Sequence, residues 1–157
     1  LAEQNPNSKT GTISIGHTRW ATHGVPNDVN SHPHVSESGD LVVVHNGIIE
    51  NYATIKKELT SRGYSFKSDT DTEVLVNLIE EVNKQENCKL GKAVQLALTT
   101  VIGAYAIAVF DKTKPNEIIV ARLGSPVAIG IGKEHSELYI ASDACPFVQY
   151  INNVVNL

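Results

Sequence analysis

The apolar and polar positions divide the chain into an early strand-rich part, a block of helices and a late run of strands. Thr12 to Thr18 alternates β-branched with small or polar residues, the period of a strand. Trp20 to Gly39 collects Gly, Pro, Asn and Ser without a period and reads as loop. Leu41-Val42-Val43-Val44-His45 is a continuous apolar run, the pattern of a strand buried on both faces. Asn46-Gly47, a pair that tolerates positive φ, is expected to end it. Asn51 then sits as an N-cap, Tyr52, Ile55 and Leu59 form a helical stripe, and Gly63 stands where a C′ glycine belongs. Thr70-Asp71-Thr72-Glu73 matches a capping box, followed by Val74, Leu75, Leu78, Ile79 and Val82 at helical spacing. A third helix is expected over Leu90 to Thr100, with Leu90, Ala93, Val94, Ala97, Leu98 and Val101 inward.

After Gly103 the period changes to that of strands. Ala104 to Phe110, Glu117 to Ala121, Val127 to Ile131 and Glu137 to Ala141 are four segments separated by turn residues, and their even spacing predicts an antiparallel meander. Pro146 to Tyr150 reads as a short helix and Val154-Val155 as the start of another strand. Strands flanking a block of helices argue for an α+β fold rather than a doubly wound parallel sheet.

Composition narrows the classes. The chain has 157 residues, 41% hydrophobic and 19% charged, which suits one soluble domain with a core. A net charge of -4 without a Lys/Arg run argues against nucleic acid or an acidic membrane as partner. No apolar run reaches membrane-spanning length and no signal peptide is visible. Two cysteines, Cys88 and Cys145, make no disulfide framework and fit a reducing, cytoplasmic setting. The chain holds no Met and begins at Leu1, so it is expected to be processed or to be a piece cut inside a domain.

Chemistry concentrates in a few places. Gly16-His17-Thr18-Arg19-Trp20-Ala21-Thr22-His23-Gly24 packs a guanidinium, an indole, hydroxyls and imidazoles between two glycines. The Arg19 fork matches a carboxylate or phosphate, although a surface Arg or one paired to a structural acid fits the position equally. Trp20, the only Trp, suits core packing as well as a site wall. Asn46 and Gly47 offer an amide donor and a glycine N–H suited to a developing oxyanion, or an ordinary turn. Asp71 can accept from a ligand ammonium, or belong only to the helix cap. Five of six histidines lie between His17 and His45, and His32-Pro33-His34 has a spacing used by metal sites. No later ligand cluster completes such a set. Neither Cys88 nor Cys145 has a neighbouring His or a glycine elbow, so both read as bystanders.

Taken in order, the Gly16–Gly24 stretch, Asn30-Ser31-His32-Pro33-His34, Val43-Val44-His45-Asn46-Gly47-Ile48-Ile49-Glu50-Asn51, Ser68-Asp69-Thr70-Asp71-Thr72-Glu73-Val74, Gly103-Ala104-Tyr105-Ala106, Ala121-Arg122-Leu123-Gly124-Ser125-Pro126 and Ala141-Ser142-Asp143 resemble one family. It is the glutaminase domain of glucosamine-6-phosphate synthase (glutamine–fructose-6-phosphate aminotransferase, isomerizing), a class II glutamine amidotransferase. The resemblance implies an N-terminal-nucleophile hydrolase fold, an αββα four-layer sandwich, here lacking its first strands. It makes residues 1–157 a partial glutaminase domain without the sugar-isomerase domain.

The resemblance further implies the roles of individual residues. Arg19 would bind the glutamine α-carboxylate with Thr22 and His23, Asp71 the α-ammonium, and Trp20 would close over the site. Asn46 and Gly47 would form the oxyanion hole. The family nucleophile is an N-terminal Cys, whose place is not filled here because residue 1 is Leu, so the chain alone is expected to be inactive. No cofactor and no metal are implied. Glutamine and glutamate are the expected ligands, the isomerase domain the expected partner, and a homodimer the expected full-length state. An amino-acid-binding module and a metal-dependent enzyme at His32-Pro33-His34 are the alternatives.

Overall fold

The computed structural model describes residues 11–18, 24–132 and 137–157. The elements, in order, are β1 (His34–Val35), β2 (Leu41–Ile49), α1 (Tyr52–Ser61), α2 (Asp71–Glu86), α3 (Leu90–Leu98), β3 (Gly103–Asp111), β4 (Ile119–Leu123), β5 (Ala128–Gly132), β6 (Leu138–Ala141), a 3₁₀ turn at Cys145–Phe147, and β7 (Ile151–Asn156). They build two antiparallel sheets, one of order β1-β2-β3-β4 and one of order β6-β5-β7. The fold is α+β.

Of the three helices, α2 starts with the cap its sequence announces, while α1 and α3 are bounded differently. The Thr70 hydroxyl accepts from the Glu73 N–H at 3.2 Å, which caps α2. The return half of the capping box is not made. The Glu73 carboxylate instead accepts from the Lys67 and Ser68 N–H groups at 2.9 and 2.6 Å and so ties down the loop before the helix. Asn51 precedes α1 without a side-chain cap. Its amide bridges to the Thr100 carbonyl and the Ile102 N–H, at 2.8 and 2.9 Å, joining the start of α1 to the approach to β3. Gly63 follows α1 at φ 99°, as a C′ glycine should.

One face of the four-stranded sheet carries the core. Val43, Ile49, Tyr105, Ile107 and Val109 pack with Ile55 and Leu59 of α1, Val74, Leu75, Val76 and Ile79 of α2, and Ala93, Val94 and Ala97 of α3. Side chains alternate across a strand, so the opposite face of β2 and β3 presents Val44, Asn46, Ala106 and Ala108. These look onto a cleft whose far wall comes from the second sheet and its flanking turns. The described residues thus stack as helices, sheet and second sheet.

Four expectations are corrected. Residues 12–18 form no strand among the described residues. Ile13, Ile15 and His17 are half-buried in alternation with exposed neighbours, so the period is real, but no described strand pairs with them. Asn46-Gly47 does not end its strand. β2 runs on to Ile49 because nine consecutive residues of β3 pair with it, from Leu41↔Asp111 to Ile49↔Gly103. The meander breaks after β4: β3 and β4 pair, but β5 opens the second sheet. Gly124, at φ 79°, turns the chain between the sheets and leaves only a single bridge to Tyr105. The third helix also stops at Leu98, where the Thr99 and Thr100 hydroxyls donate to the Leu96 and Ala97 carbonyls. Among the described residues no helix is long and apolar enough to cross a membrane.

Candidate active site

The cleft between the two sheets has a volume of about 450 Å³ and is lined by His17, Asn46, Ala106, Ala108, Ile140 and Ser142 among others. Its floor is made of small side chains. Ala106 and Ala108 of β3 stand where the helix-covered face has Ile107 and Val109. Among the described residues, Asn46 is the one carboxamide on that floor. Its Oδ1 lies 2.6 Å from Nε2 of His17. An amide oxygen only accepts, so Nε2 carries the proton in this contact.

Gly47 follows with φ 127°, far from the value near about -140° that strand residues keep. Gly47 keeps its place in the ladder, paired with Tyr105, in a backbone conformation that residues with a side chain rarely adopt. Only glycine fits: a Cβ at position 47 would sit 2.0 Å from the Ala104 carbonyl oxygen.

The edge of β2 away from β3 explains what surrounds this glycine. β1 pairs only as far as Val43. Beyond it, side chains take the place of a strand. The His45 N–H reaches Nδ1 of His32 at 3.4 Å, and the Ile49 N–H donates to Asp71 Oδ2 at 2.8 Å. Gly47 lies between those two bonds. Asp71 is buried at the first turn of α2, so its carboxylate meets the positive end of that helix and a strand N–H together.

The loops around Asp71 are tied by buried polar side chains. Asn30, only 1% exposed, accepts from the Asp69 N–H at 2.9 Å and donates to the Val25 carbonyl at 3.0 Å. It thereby joins the loop that starts at Gly24 to the loop that leads into Asp71. Gly24, at φ 74°, is pressed against that amide, with a Cβ there falling 2.5 Å from Asn30 Nδ2.

The histidines form a line rather than a ligand set. The His17 and His32 rings stack with centroids 4.4 Å apart, and His32 meets His34 edge-on at 5.0 Å. His34 Nε2 lies 3.0 Å from the Thr70 hydroxyl, and His45 Nδ1 lies 2.9 Å from the Thr72 hydroxyl. These contacts commit imidazole nitrogens to protein groups. Among the described residues no three His, Cys, Asp or Glu side chains come together as a metal site, and the metal-dependent alternative has no support.

Of the residues singled out by the sequence, the structure sets Asn46 on the cleft floor, Gly47 next to it at positive φ, and Asp71 on the same strand's open edge. Arg19, Trp20, Thr22 and His23 lie outside the described residues. Cys88 is half-buried and Cys145 exposed. The Cys145 thiol is raised above its ordinary value by its hydrogen bond to the Asp143 carboxylate, which keeps it protonated and a poor nucleophile. Two residues escaped the sequence reading of the site. His17 was visible only as one imidazole beside Arg19, and Asn30 only as one loop Asn among several.

Comparison with known proteins gives this geometry a family context. Residues 3–156 match the glutamine amidotransferase domain family. The chain is 57% identical over 148 residues to a glutamine–fructose-6-phosphate aminotransferase [isomerizing] of Bacteroides thetaiotaomicron, covering 94% of this chain and 24% of that protein. It is 49% identical over 147 residues to the protein of the same name from Pyrococcus horikoshii, with 94% and 24% covered. The chain therefore spans about a quarter of the length of these relatives. Among solved structures it is similar to glutamine phosphoribosylpyrophosphate amidotransferase from B. subtilis complexed with ADP and GMP. That match has a TM-score of 0.66 and 30% identity, covering 83% of this chain and 28% of the other. A structure described as the allosteric regulatory enzyme of purine biosynthesis matches with a TM-score of 0.70 and 29% identity, over 88% and 30%.

Proposed function

The chain belongs to the glutamine amidotransferase domain family, and we propose from that premise that it is the glutamine-binding part of a glutaminase. Glutamine is the amide-nitrogen donor, and the enzyme this part serves is a glutamine–fructose-6-phosphate aminotransferase, the name its relatives carry. The observation that carries the reading is the Asn46-Gly47 pair: a carboxamide on the floor of an open cleft, next to a glycine held at φ 127° whose N–H lies on the strand's open edge.

In the proposed reaction a thiol attacks the side-chain carbonyl carbon of glutamine. The C–N bond breaks, ammonia leaves, and water then hydrolyses the thioester to glutamate and free thiol. Negative charge develops on the carbonyl oxygen in each half. The Asn46 Nδ2–H and the Gly47 N–H are the donors assigned to it, preorganised by the strand that carries them. Asp71 is assigned to the substrate ammonium and the Arg19 fork to the α-carboxylate, with Thr22 and His23 beside it and Trp20 over the site.

The thiol is assigned to an N-terminal Cys that the 157 residues do not contain. The 157-residue chain assayed by itself is expected to bind without hydrolysing. A sugar-isomerase domain as the ammonia acceptor, a homodimer and a cytoplasmic location complete the proposal.

The test is glutamine hydrolysis by the full-length protein that carries this chain, with glutamate binding followed by calorimetry. Asn46→Ala is expected to lower kcat by about a hundredfold, the loss typical of an oxyanion donor. Asp71→Asn is expected to act on binding first, with glutamate affinity falling at least about tenfold for a lost charge pair. Glutamate binding with no ammonia release would make the chain an amino-acid-binding module, and neither binding nor hydrolysis would end the proposal.

A further inference from the structure

An oxyanion donor must point the correct end of its amide at the substrate, and nothing within Asn46 itself decides which end that is. We propose that His17 is a positioning residue that aims the Asn46 amide. The inference rests on the oxyanion reading of Asn46 given above.

The carboxamide is planar, with one end that accepts and one that donates. His17 Nε2, 2.6 Å from Oδ1, engages the accepting end. The donating Nδ2 is thereby turned to the other side. If His17 offered an unprotonated Nε2 instead, the amide would gain by reversing. Nδ2 would then bond to the imidazole, and Oδ1 would present lone pairs to the oxygen on which negative charge develops. The place and tautomer of one imidazole thus set the sign of the dipole that the substrate meets.

His17 itself needs holding, because residues 11–18 pair with no described strand. The row of imidazoles provides this. His17 stacks on His32 at an interplanar angle of 28°, and His32 meets His34 at 73°. His32 Nδ1 accepts from the His45 N–H, and His34 reaches the Thr70 hydroxyl that caps α2. Contacts therefore run from the N-cap next to Asp71 to the amide on the cleft floor. No proton needs to move along this row. Its action is to keep the ring of His17 in place.

The experiment is a double-mutant cycle in the full-length protein, reading kcat and KM for glutamine hydrolysis together with glutamate affinity. His17→Ala is expected to lower kcat by about tenfold to a hundredfold, below or equal to the loss of the donor itself, with KM and glutamate affinity within about twofold. In the Asn46→Ala background the same change is expected to lower kcat by less than about twofold, because both act through one amide. His17→Phe, which keeps a ring to stack on His32 but deletes the N–H, is expected to lose as much as His17→Ala. It also reads the effect if the alanine variant unfolds. His17→Gln, whose side chain again offers an N–H, is expected to recover much of the rate. A kcat within about twofold of wild type for His17→Phe, or losses that multiply in the double variant, would overturn the inference while leaving the oxyanion reading intact. An Asn46→Ala variant with wild-type kcat would overturn the oxyanion reading and this inference with it.

Discussion

The two faces of the four-stranded sheet come from the same strands and do opposite things. On the helix side Val43 and Val109 are fully buried and Ile107 is 2% exposed, and three helices close over them. On the other side Val44 and Asn46 are half-buried, beside Ala106 and Ala108, and a cleft of about 450 Å³ remains. Alternation puts large branched residues on one face and small ones on the other within a single stretch of sequence. The first face supplies the rigidity that lets the second keep a polar group in a fixed place. Both polar systems of the site depend on that division: Asn46 faces the cleft, and Asp71 reaches the strand from the helix side.

The hardest blow to this arrangement should be a methyl group at position 47. Gly47→Ala combines a positive φ with a Cβ 2.0 Å from the Ala104 carbonyl oxygen. It is expected to cost about 3 kcal/mol or more in urea unfolding and to abolish ammonia release in the full-length protein. A stable Gly47→Ala variant would mean the peptide is not held where we place it.

The faces can be compared directly through adjacent valines. Val43→Ala empties a fully buried site and is expected to cost about 2 kcal/mol, whereas Val44→Ala on the cleft face is expected to cost about half that or less. Equal losses would show that the cleft is closed by packing after all.

A polar contrast comes next. Glu73→Gln keeps the size of a buried side chain but removes the charge that receives the Lys67 and Ser68 N–H groups. A loss of about 1–2 kcal/mol is expected, together with a higher KM for glutamine, since that loop leads into Asp71. An unchanged KM would detach the loop from substrate binding.

The smallest effect is one of pH, on the far side of α2. Burial pushes the Glu80 carboxyl up, but hydrogen bonds from Lys84, Ser36 and Ser38 outweigh it and leave the group below its ordinary value of 4.5. Lys84 is also desolvated, which lowers it, yet its bonds to Glu80 and Tyr64 hold it above its ordinary value. Burial raises the neighbouring Tyr64 phenol to about 12. A depressed carboxyl stabilises the fold above its unfolded value and loses that contribution as pH falls through the folded one. Wild type and Glu80→Gln are therefore expected to differ near neutral pH, by about 1 kcal/mol or less because Lys84 is largely exposed, and to converge progressively as pH falls below 4.5. A gap that widens on acidification would reverse the assignment.

The local parts of this molecule were open to reading in one dimension. Helix α2 is set by Thr70 and an apolar stripe within a few residues of one another, and the end of α1 by Gly63. Neighbours in the chain are neighbours in a helix, so these signals need no distant partner. The residue types at Asn46, Gly47 and Asp71 suggested a chemistry in the same local way, and the motifs pointed to the family that the chain belongs to. What the chain alone left undecided was every contact that joins distant segments. β2 passes through Asn46-Gly47 because β3, more than fifty residues later, pairs with it residue by residue. β4 and β5 separate into two sheets although their spacing suits a hairpin. His17 meets Asn46 across 29 positions, and Asn30 meets Asp69 across 39. Strand partners and buried polar pairs are settled by which surfaces fold together, and a periodic pattern states only that a surface exists, not what will cover it.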